Sequence, residues 1–530
     1  MGDIKLLDCT LRDGGYLNDW NFGHNNLVSI FERLVEANVD IIEIGFLDEH
    51  REFDINRSIM PNTDCVERIY GGLDRKQAMV VGMIDYGTCG PGNIKPCSES
   101  FIDGIRVIFK KHLRNEALAF CGELKKLGYK VFAQLVSVTS YNDEELADLI
   151  RLANEVKPYA VSMVDTYGLM HQNNLMHYFT LMNEGLAPEI GIGYHAHNNF
   201  QMGYANCIAM MSNKIDRLMV VDGTLYGMGK SAGNAPLELI AMHMNYALGY
   251  HFDISQMLEA IDANISQFYI SARWGYNMFY YLAASNDCHP NYVAYLMEKR
   301  TLSVKSINEL LGRLEGEKKL LYSKEYIEKL YAEYITNDIN DGETYERLTR
   351  EFANKKILLV GPGSSVNREL GKITEAVDSD TAVISVNYIP DGIRPDYLFL
   401  SNSKRYVQIA TKLVGSNIPI IATSNVTSTT GNFSYILNNS VLLDFNSEII
   451  DNSLVMLLKV LSKTGVKEVK LAGFDGYSAD SENYTNPNME YDFIKGKVEY
   501  LNKYTSDFIR SMSGTIKIEF VTKSKYIEAL

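Results

Sequence analysis

The first 240 residues alternate short apolar runs with longer amphipathic stretches, and this alternation restricts the fold more than any other feature of the chain. Each apolar run has the length of a buried strand, and each stretch between two runs has the length of a helix. Eight such units in succession are what a (β/α)8 TIM barrel requires. A doubly wound open sheet shows the same alternation and stays open as an alternative. The predicted strands are Ile4–Asp8, Ile41–Phe46, Met79–Ile84, Gly104–Phe109, Val131–Val138, Ala160–Val164, Ile190–His195 and Leu218–Asp222.

The pattern changes after the eighth strand. From about Pro236 to Asn354 it is helical, which predicts the last barrel helix and a helical extension. A second alternation begins at Lys355 and predicts a Rossmann-like α/β domain. The predicted domains are a barrel at 1–270, an extension at 271–350 and the Rossmann-like domain at 351–530. The strands predicted for this last domain are Ile357–Gly361, Ala382–Val386, Tyr397–Leu400, Pro419–Ala422, Val441–Phe445, Val469–Ala472 and Ile516–Val521.

Charge and cysteine content exclude several classes of function. The formal net charge is −15 and the chain has no long run of Lys and Arg, which argues against nucleic acid as a partner. No apolar run approaches the roughly 18 residues that span a bilayer, and the charged N-terminus lacks the apolar segment of a signal peptide. The 7 cysteines are dispersed and form no CxxC pair, as in a reducing compartment. We expect a cytoplasmic protein that contacts no membrane.

Two motifs at the ends of predicted strands carry candidate metal ligands. Asp8–Gly15 (DCTLRDGG) follows the first strand, where barrel active sites lie, so Arg12 and Asp13 would point into the barrel mouth. A surface turn closed by two glycines is the simpler explanation of this octapeptide alone. The second motif, HAHNN, places His195 and His197 at the end of the seventh strand. Residues two apart in an extended chain face the same way, so both imidazoles can reach one ion and, with one carboxylate, leave metal positions open for substrate.

A glycine-rich loop follows the eighth predicted strand. Asp222 is followed by Gly227–Glu238 (GMGKSAGNAPLE), and glycines let the backbone approach a bound ligand closely. Asn234 supplies a hard oxygen near the metal if the loop folds over the site. A flexible connection between the last strand and its helix is the alternative interpretation.

In this order, the TLRDG, HxHN and GxxxGNxxxE motifs resemble those of the DRE-TIM metallolyase superfamily, and within it the 4-hydroxy-2-oxovalerate aldolases, over about residues 1–300. The resemblance implies Asp13, His195 and His197 as ligands of Mn²⁺ or Mg²⁺. Asn234 matches a metal ligand of the related hydroxymethylglutaryl-CoA lyases. Arg12 would stabilise an enolate oxygen. The resemblance also implies a 2-oxo acid and an aldehyde as small-molecule substrates, and a homo-oligomer.

Three further residues are candidates for catalysis. Glu43, at the end of the second predicted strand, is a candidate brace for Arg12, and a structural ion pair of a buried Glu is the alternative. The similar aldolases carry a His three residues after the metal Asp, where this chain has Tyr16, a poorer base at neutral pH. Proton relay by Tyr16, a metal-bound water as the base, and a different acceptor aldehyde are the open explanations. Tyr276 is a candidate substrate contact, with core packing as its alternative.

The chemistry of aldol cleavage agrees with this set of residues. Cleavage of a 4-hydroxy-2-oxo acid leaves pyruvate enolate, whose charge a chelating cation and Arg12 can stabilise. The leading interpretation is therefore a metal-dependent pyruvate aldolase. A Claisen-type acyl-CoA lyase or synthase on the same barrel is the second, although no feature provides a pocket for CoA. A non-catalytic scaffold is the third, and the complete set of Asp13, His195 and His197 argues against it.

The last domain carries a possible phosphate-binding turn. The sequence GPGSS at 361–365 follows a predicted strand and precedes a predicted helix. Asn387, rather than an acidic residue, ends the next strand, which argues against ordinary NAD recognition through ribose hydroxyls. With LAGFD at 471–475, these motifs loosely resemble Rossmann-like proteins that include bacterial sialyltransferases using CMP-sugars and pterin pyrophosphokinase-like proteins. The implied nucleotide site contains Gly361, Gly363, Ser364, Ser365, Asn387 and Asp475.

Two activities are open for this domain. A transferase using a CMP-sugar is one, although the sialyltransferases use a catalytic His and residues 351–530 contain none. A reductase that converts the 2-oxo product with NAD(P)H is the other. Tyr491 and Lys495 form a YxxxK pair like that of short-chain dehydrogenases, and a surface helix pair is its alternative. The sequence predicts a nucleotide-binding domain that acts on the aldolase product or regulates its formation.

Overall fold

The computed structural model describes residues 2–299, 302–319, 321–336, 338–426, 432–444, 447, 450–490 and 492–527. The chain divides into two compact units, Met1–Pro290 and Asn291–Leu530. The predicted helical extension at 271–350 falls on both sides of this boundary, and the three-part division stays a prediction. Among the described helices, none combines the length and the apolar composition needed to cross a bilayer.

The first unit is a closed barrel of eight parallel strands with a two-residue strand added at its rim. In chain order the strands are β1 (Ile4–Asp8), β2 (Ile41–Leu47), β3 (Ile59–Met60), β4 (Met79–Asp85), β5 (Gly104–Phe109), β6 (Lys130–Leu135), β7 (Ala160–Asp165), β8 (Gly191–Ala196) and β9 (Met219–Gly223). β1 pairs with both β2 and β9, and this closure excludes the open sheet. The predicted TIM barrel is confirmed. The predicted strand Val131–Val138 ends early, at Leu135, because Ser137 turns into the left-handed region (φ 52°).

Eleven α-helices belong to the described part of this unit, and the longer ones that follow the barrel strands pack apolar side chains on the barrel. They are α1 (Thr10–Asp13), α2 (His24–Glu36), α3 (Thr63–Tyr70), α4 (Arg114–Lys126), α5 (Asp143–Val156), α6 (Gln172–Gly185), α7 (Gly203–Met211), α8 (Leu237–Leu248), α9 (Ile254–Ala260), α10 (Ser266–Ser271) and α11 (Met278–Ser285). The helix α5 illustrates why they form, because Asn142 caps its N-terminus in a reciprocal capping box with Glu145.

Inside the barrel, an apolar floor underlies a polar layer. The floor lies towards the N-terminal ends of the strands and includes Leu7, Ile41, Val81, Phe132, Ala160 and Val220. Side chains two residues apart on a strand share a face, so the next inward positions lie nearer the mouth. Five of these positions carry buried polar side chains, which are Glu43, Arg106, Gln134, Ser162 and Asp222. The polar layer is therefore at the base of the barrel mouth.

The second unit is an α/β domain with a seven-stranded parallel sheet. Its strands are β10 (Lys356–Val360), β11 (Thr381–Val386), β12 (Tyr397–Leu400), β13 (Ile420–Thr423), β14 (Tyr435–Leu437), β15 (Glu468–Ala472) and β16 (Lys517–Phe520). The spatial order is β14-β13-β12-β11-β10-β15-β16. After β10 the chain builds the sheet outward through β11 on one side, and after β15 it continues to β16 on the other side. Open α/β sheets bind ligands in the crevice between two strands whose connections diverge in this way.

Ten helices belong to the described part of this unit or begin at its boundary. They are α12 (Pro290–Lys299), α13 (Val304–Leu311), α14 (Lys324–Ile335), α15 (Gly342–Phe352), α16 (Ser365–Arg368), α17 (Leu370–Glu375), α18 (Ser403–Leu413), α19 (Ser453–Lys463), α20 (Asp492–Gly496) and α21 (Val498–Met512).

One predicted strand of the second unit is wrong. Residues 441–444 of the predicted strand Val441–Phe445 form a turn, and Phe445 lies outside the described residues. The N–H groups of Leu442 and Leu443 donate to the Asn439 carbonyl, which is a turn pattern rather than a ladder. The preceding Asn-Asn-Ser sequence favours this turn. The strand at this edge of the sheet is β14, which the apolar pattern did not single out.

Candidate metal centre

Two segments of the barrel fix Asp13. The chain leaves β1 and turns at once into α1, where the Asp13 N–H donates to the Cys9 carbonyl (2.8 Å). Asp13 is 1% exposed. Its Oδ1 accepts from the Lys230 backbone N–H (3.0 Å) and from Asn234 Nδ2 (3.0 Å). The DCTLRDGG motif is therefore a helical turn buried under the loop after β9, rather than a surface turn.

The two histidines face Asp13 from the end of β8, with ring centroids 5.0 Å apart. His195 Nδ1 donates to the Asp222 carboxylate (3.1 Å). His197 Nδ1 donates to the Asp165 main-chain carbonyl (3.1 Å). These bonds select the ring orientation in which each Nε2 points at Asp13, 3.6 Å from one of its carboxylate oxygens in both cases.

Three buried polar atoms in this space lack a hydrogen-bond partner among the described residues. They are His195 Nε2, His197 Nε2 and Asn234 Oδ1. Buried polar atoms are rarely left unpaired, so two unpaired imidazole nitrogens that point at one carboxylate indicate a ligand. Two imidazole nitrogens and one carboxylate form a donor set that suits a divalent cation and leaves positions open. The ligand atoms of Asp13, His195 and His197 lie within 4.8 Å of one another. The residues present therefore fit a divalent metal ion.

A buried chain of ion pairs lies behind these ligands. Arg12 Nε donates to Glu43 Oε2 (2.8 Å), and its Nη1 bonds to Asp13. Arg106 Nη1 donates to the same Glu43 oxygen (2.9 Å), and its Nη2 bonds to Asp222. Glu43 is the third residue of β2 rather than its end, so the position predicted for it is wrong. Its side chain lies where it can brace Arg12.

Arg106 is the residue of this network that sequence reasoning missed. It is 0% exposed, in the middle of β5. A guanidinium is almost never fully buried unless it is paired, so an Arg at the centre of an apolar strand run was an available signal. Asp222 precedes the glycine-rich loop in the third motif, but the sequence alone assigned it no role in the site.

The electrostatics of the site favour the metal-binding forms of Asp13 and His197. Burial acts to raise the pKa of Asp13, but Arg12 and the two imidazoles outweigh it and hold this pKa well below its usual range. Burial lowers the pKa of His197, which favours the neutral imidazole. Burial acts to lower the pKa of His195, but the nearby Asp13 and Asp222 carboxylates outweigh it and raise this pKa. An ionised carboxylate and neutral imidazoles are the ligand forms, so binding at His195 is coupled to proton release.

Tyr16 lies at the rim of the barrel mouth. Its ring packs edge-on against Trp20 (centroids 4.9 Å) and Phe46 (6.2 Å). The Lys230 ammonium lies 5.3 Å from the ring centroid. Loss of water around the phenol raises the pKa of Tyr16 to about 12, although Arg12 acts in the opposite direction. The hydroxyl is therefore protonated at neutral pH.

Tyr276 does not join this cluster. It is 60% exposed, and within the described residues no hydrogen bond links it to the metal-centre residues. The neighbouring Trp274 is the buried member of this aromatic segment, and its indole N–H donates to the Tyr226 carbonyl (2.8 Å). The alternative of core packing for Tyr276 is wrong, and a contact with substrate stays a prediction.

In the second unit, a cavity of about 170 Å³ lies at the crevice between β10 and β15. Gly363, Asn387 and Asp475 line it, together with Arg405 and Tyr484. The predicted nucleotide-site residues on the glycine loop and Asp475 are therefore close together. Asn387 lies on the opposite wall and bonds to Ser401 and Ser453.

The glycine loop already binds a carboxylate of the chain. Asp475 Oδ2 accepts from the Ser365 N–H (2.8 Å) and from the Ser364 hydroxyl (3.4 Å), and Oδ1 accepts from the Ser365 hydroxyl. Gly361 N–H donates to the Ala472 carbonyl (2.8 Å). The amide expected to hold a phosphate thus has an internal anion as its partner. Tyr491 of the YxxxK pair lies outside the described residues.

Residues 3–263 match the family model described as HMGL-like, and the barrel unit is an HMGL-like domain. Among its relatives is a 4-hydroxy-2-oxovalerate aldolase of Alkalilimnicola ehrlichii, 27% identical over 238 residues that make up 45% of this chain and 68% of the relative. A 4-hydroxy-2-oxovalerate aldolase of Pelotomaculum thermopropionicum is 24% identical over 262 residues, 49% of this chain and 75% of the relative. The HMG-CoA lyase structure of Bacillus subtilis is 17% identical, covers 50% of this chain and 93% of its own, and has a TM-score of 0.41.

The DRE-TIM resemblance of the barrel is thereby confirmed, and the family supports a metal-dependent lyase or aldolase. A divalent metal is implied both by this family and by the cluster of Asp13, His195 and His197. The HMGL-like match lies within the first unit.

Proposed function

We propose that the barrel unit is a divalent-metal-dependent aldolase that forms or cleaves a 4-hydroxy-2-oxo acid, with Mn²⁺ or Mg²⁺ as the ion. The observation that carries this proposal is the convergence of the unpaired His195 Nε2 and His197 Nε2 atoms on the Asp13 carboxylate. The relatives named 4-hydroxy-2-oxovalerate aldolase support pyruvate and an aldehyde as its substrates.

The reaction in the direction of condensation has three changes that the site must assist. A proton leaves the methyl group of the 2-oxo acid, the enolate carbon bonds to the aldehyde carbon, and the aldehyde oxygen takes up a proton. Cleavage is the reverse. The bound cation supplies Lewis acidity towards the 2-oxo group. Arg12, held by Glu43 at 2.8 Å, adds a fixed positive charge that stabilises the enolate oxygen without reorganisation.

Tyr16 is the proposed proton donor to the aldehyde oxygen. Because its pKa is raised to about 12, it is a neutral donor at the working pH rather than a base. It follows Asp13 by three residues, the position at which the similar aldolases carry His. In cleavage, the 4-hydroxyl proton would pass to the Tyr16 oxygen as the carbon–carbon bond breaks, and the phenol would release its own proton to solvent, because Tyr16 is 42% exposed.

The experiment that tests the aldolase is pyruvate release from racemic 4-hydroxy-2-oxopentanoate by the full chain. The protein is stripped with EDTA, assayed, and assayed again after Mn²⁺ is restored, with Asp13→Asn in parallel. We expect release that depends on Mn²⁺ and is absent from the variant. If several aldehydes also fail to condense with pyruvate, the aldolase is wrong. Acetyl-CoA offered with 2-oxo acids then tests the Claisen alternative, and failure of both favours the scaffold.

We also propose that the second unit binds a nucleotide in the cavity between β10 and β15. The position of this cavity at the carboxyl ends of parallel strands supports the proposal. Reduction of the 2-oxo product with NAD(P)H and transfer from a CMP-sugar are its two candidate activities. Titration of NADPH and of CMP into the full chain, and into Tyr484→Ala, tests both. We expect one of them to bind and the variant to weaken it, and failure of both nucleotides would contradict the proposal.

A further inference from the structure

The loop after β9 places one lysine at a fixed point beside the metal centre. The Lys230 backbone N–H donates to Asp13 Oδ1 (3.0 Å), and its carbonyl accepts from the Gly233 N–H (3.0 Å). Gly229, just before it, has no room for a side chain, because an added Cβ would lie 2.6 Å from Asp13 Oδ1. The main chain at Lys230 is therefore packed directly on a proposed metal ligand, and its position is set by the site itself.

The side chain of Lys230 extends from this point to the rim. Its ammonium lies 5.3 Å from the centre of the Tyr16 ring, and the residue is exposed. The ammonium thus stands at the open side of the barrel mouth, in front of the proposed proton donor.

Within the described residues, no carboxylate lies at ion-pair distance from the Lys230 ammonium. The carboxylates of the metal centre are already paired with other groups. Asp13 bonds to Arg12 and to the loop backbone, and Glu43 bonds to Arg12 and Arg106. A cation at this point therefore favours an anionic partner that arrives from solvent.

The geometry of an aldol reaction indicates which part of the substrates would lie beside the Lys230 ammonium. The metal ligands and Arg12 are buried at the inner side of the site, where they would hold the 2-oxo acid in the proposed reaction. The aldehyde must then approach the enolate carbon from the open side, with its oxygen towards Tyr16. Its remaining substituent points outward, along the side on which Lys230 stands.

We propose that Lys230 and Tyr16 form the acceptor subsite, and that the acceptor is an aldehyde bearing a negatively charged group, either a carboxylate or a phosphate. This inference rests on the proposed aldolase activity and names its second substrate class. The ammonium binds the charged group through a charge-assisted hydrogen bond, and Tyr16 donates to the aldehyde oxygen. Lys230 determines specificity and has no part in the bond-forming step.

The test compares two pairs of aldehydes as acceptors for pyruvate in the presence of Mn²⁺. Succinic semialdehyde is paired with butanal, and glyceraldehyde 3-phosphate with glyceraldehyde, so each pair contrasts a charged acceptor with a neutral one. The variants are Lys230→Met and the control Lys214→Met. Lys214 is also exposed but precedes β9, at the opposite end of the barrel.

We expect the wild-type chain to prefer the charged member of at least one pair. A preference for succinic semialdehyde over butanal indicates that the subsite binds a carboxylate, and a preference for glyceraldehyde 3-phosphate over glyceraldehyde indicates a phosphate. Lys230→Met should reduce that kcat/KM ratio by roughly ten- to a hundred-fold, and Lys214→Met should leave it unchanged. Equal use of both members of each pair, or a ratio unaffected in Lys230→Met, overturns the inference while the aldolase stands. If no aldehyde reacts, the aldolase proposal is wrong and the inference is overturned with it.

Discussion

At the scale of single residues, Asp222 orients His195 although it lies behind the proposed metal ligands. It accepts from His195 Nδ1 and pairs with Arg106. We expect Asp222→Asn to weaken metal binding by about 10–100-fold, because the ring is no longer held with Nε2 forward. Loss of a partner for a buried guanidinium also destabilises the chain, by about 3–5 kcal/mol.

Two measurements separate these effects in Asp222→Asn. Metal affinity is measured by competition with a chelator well below the melting midpoint, and stability by thermal unfolding of the metal-free protein. Asp262→Asn, which removes an exposed carboxylate of the same unit, serves as the control. Undiminished metal affinity in Asp222→Asn would show that the hydrogen bond to His195 does not orient this ligand.

Tyr16→Phe tests the proposed proton donor while the ring stays in place against Trp20. We expect kcat/KM to fall by about 10²–10⁴-fold, the range typical of a lost general acid, with metal affinity unchanged. Tyr246→Phe is the control, because Tyr246 is 93% exposed on α8. Full activity of Tyr16→Phe would assign the proton transfer to another group.

At the scale of elements, the loop after β9 is a structural part of the metal centre. A methyl group on Gly229 would lie 2.6 Å from Asp13 Oδ1 and would also meet Asn234 Nδ2. We expect Gly229→Ala to displace one of these side chains and to lose most of the metal affinity while the barrel still folds. Gly72→Ala is the matched control, because an added Cβ there meets open space. Equal metal affinity in the two variants would contradict this role of the loop.

The sequence predicts the barrel strands well because each strand of a parallel barrel is a separate apolar run between helices. The sequence does not reveal which charged residues pair when they lie far apart in the chain. Arg106 is 63 residues from Glu43 and 116 from Asp222, and these side chains meet only once the sheet has closed. The strand predicted at Val441–Phe445 fails for a local reason, since the preceding turn residues satisfy the backbone in another way.

At the scale of the whole molecule, the two units have separate hydrophobic cores. A ligand that binds the folded barrel should therefore stabilise the barrel core in particular. With Mn²⁺ at a hundred times its Kd, we expect about 2.7 kcal/mol of stabilisation in one calorimetric transition of the full chain. Asp13→Asn should abolish this shift. A shift that persists in the variant, or that raises every transition equally, would contradict the assignment of the site.

The two histidines of the metal centre differ in what a mutation can change. The Asp165 group that holds His197 is a main-chain carbonyl, and it remains whatever side chain stands at that position. The Asp222 group that holds His195 is a carboxylate, and every substitution except Glu removes it. Selection for a different metal, natural or in the laboratory, can therefore alter the hydrogen bond of His195 by a point mutation, but it cannot alter that of His197 in the same way. A substitution at Asp222, at the end of β9, can therefore change how His195 is held. The main-chain carbonyl at the end of β7 holds His197 whatever the side chain there.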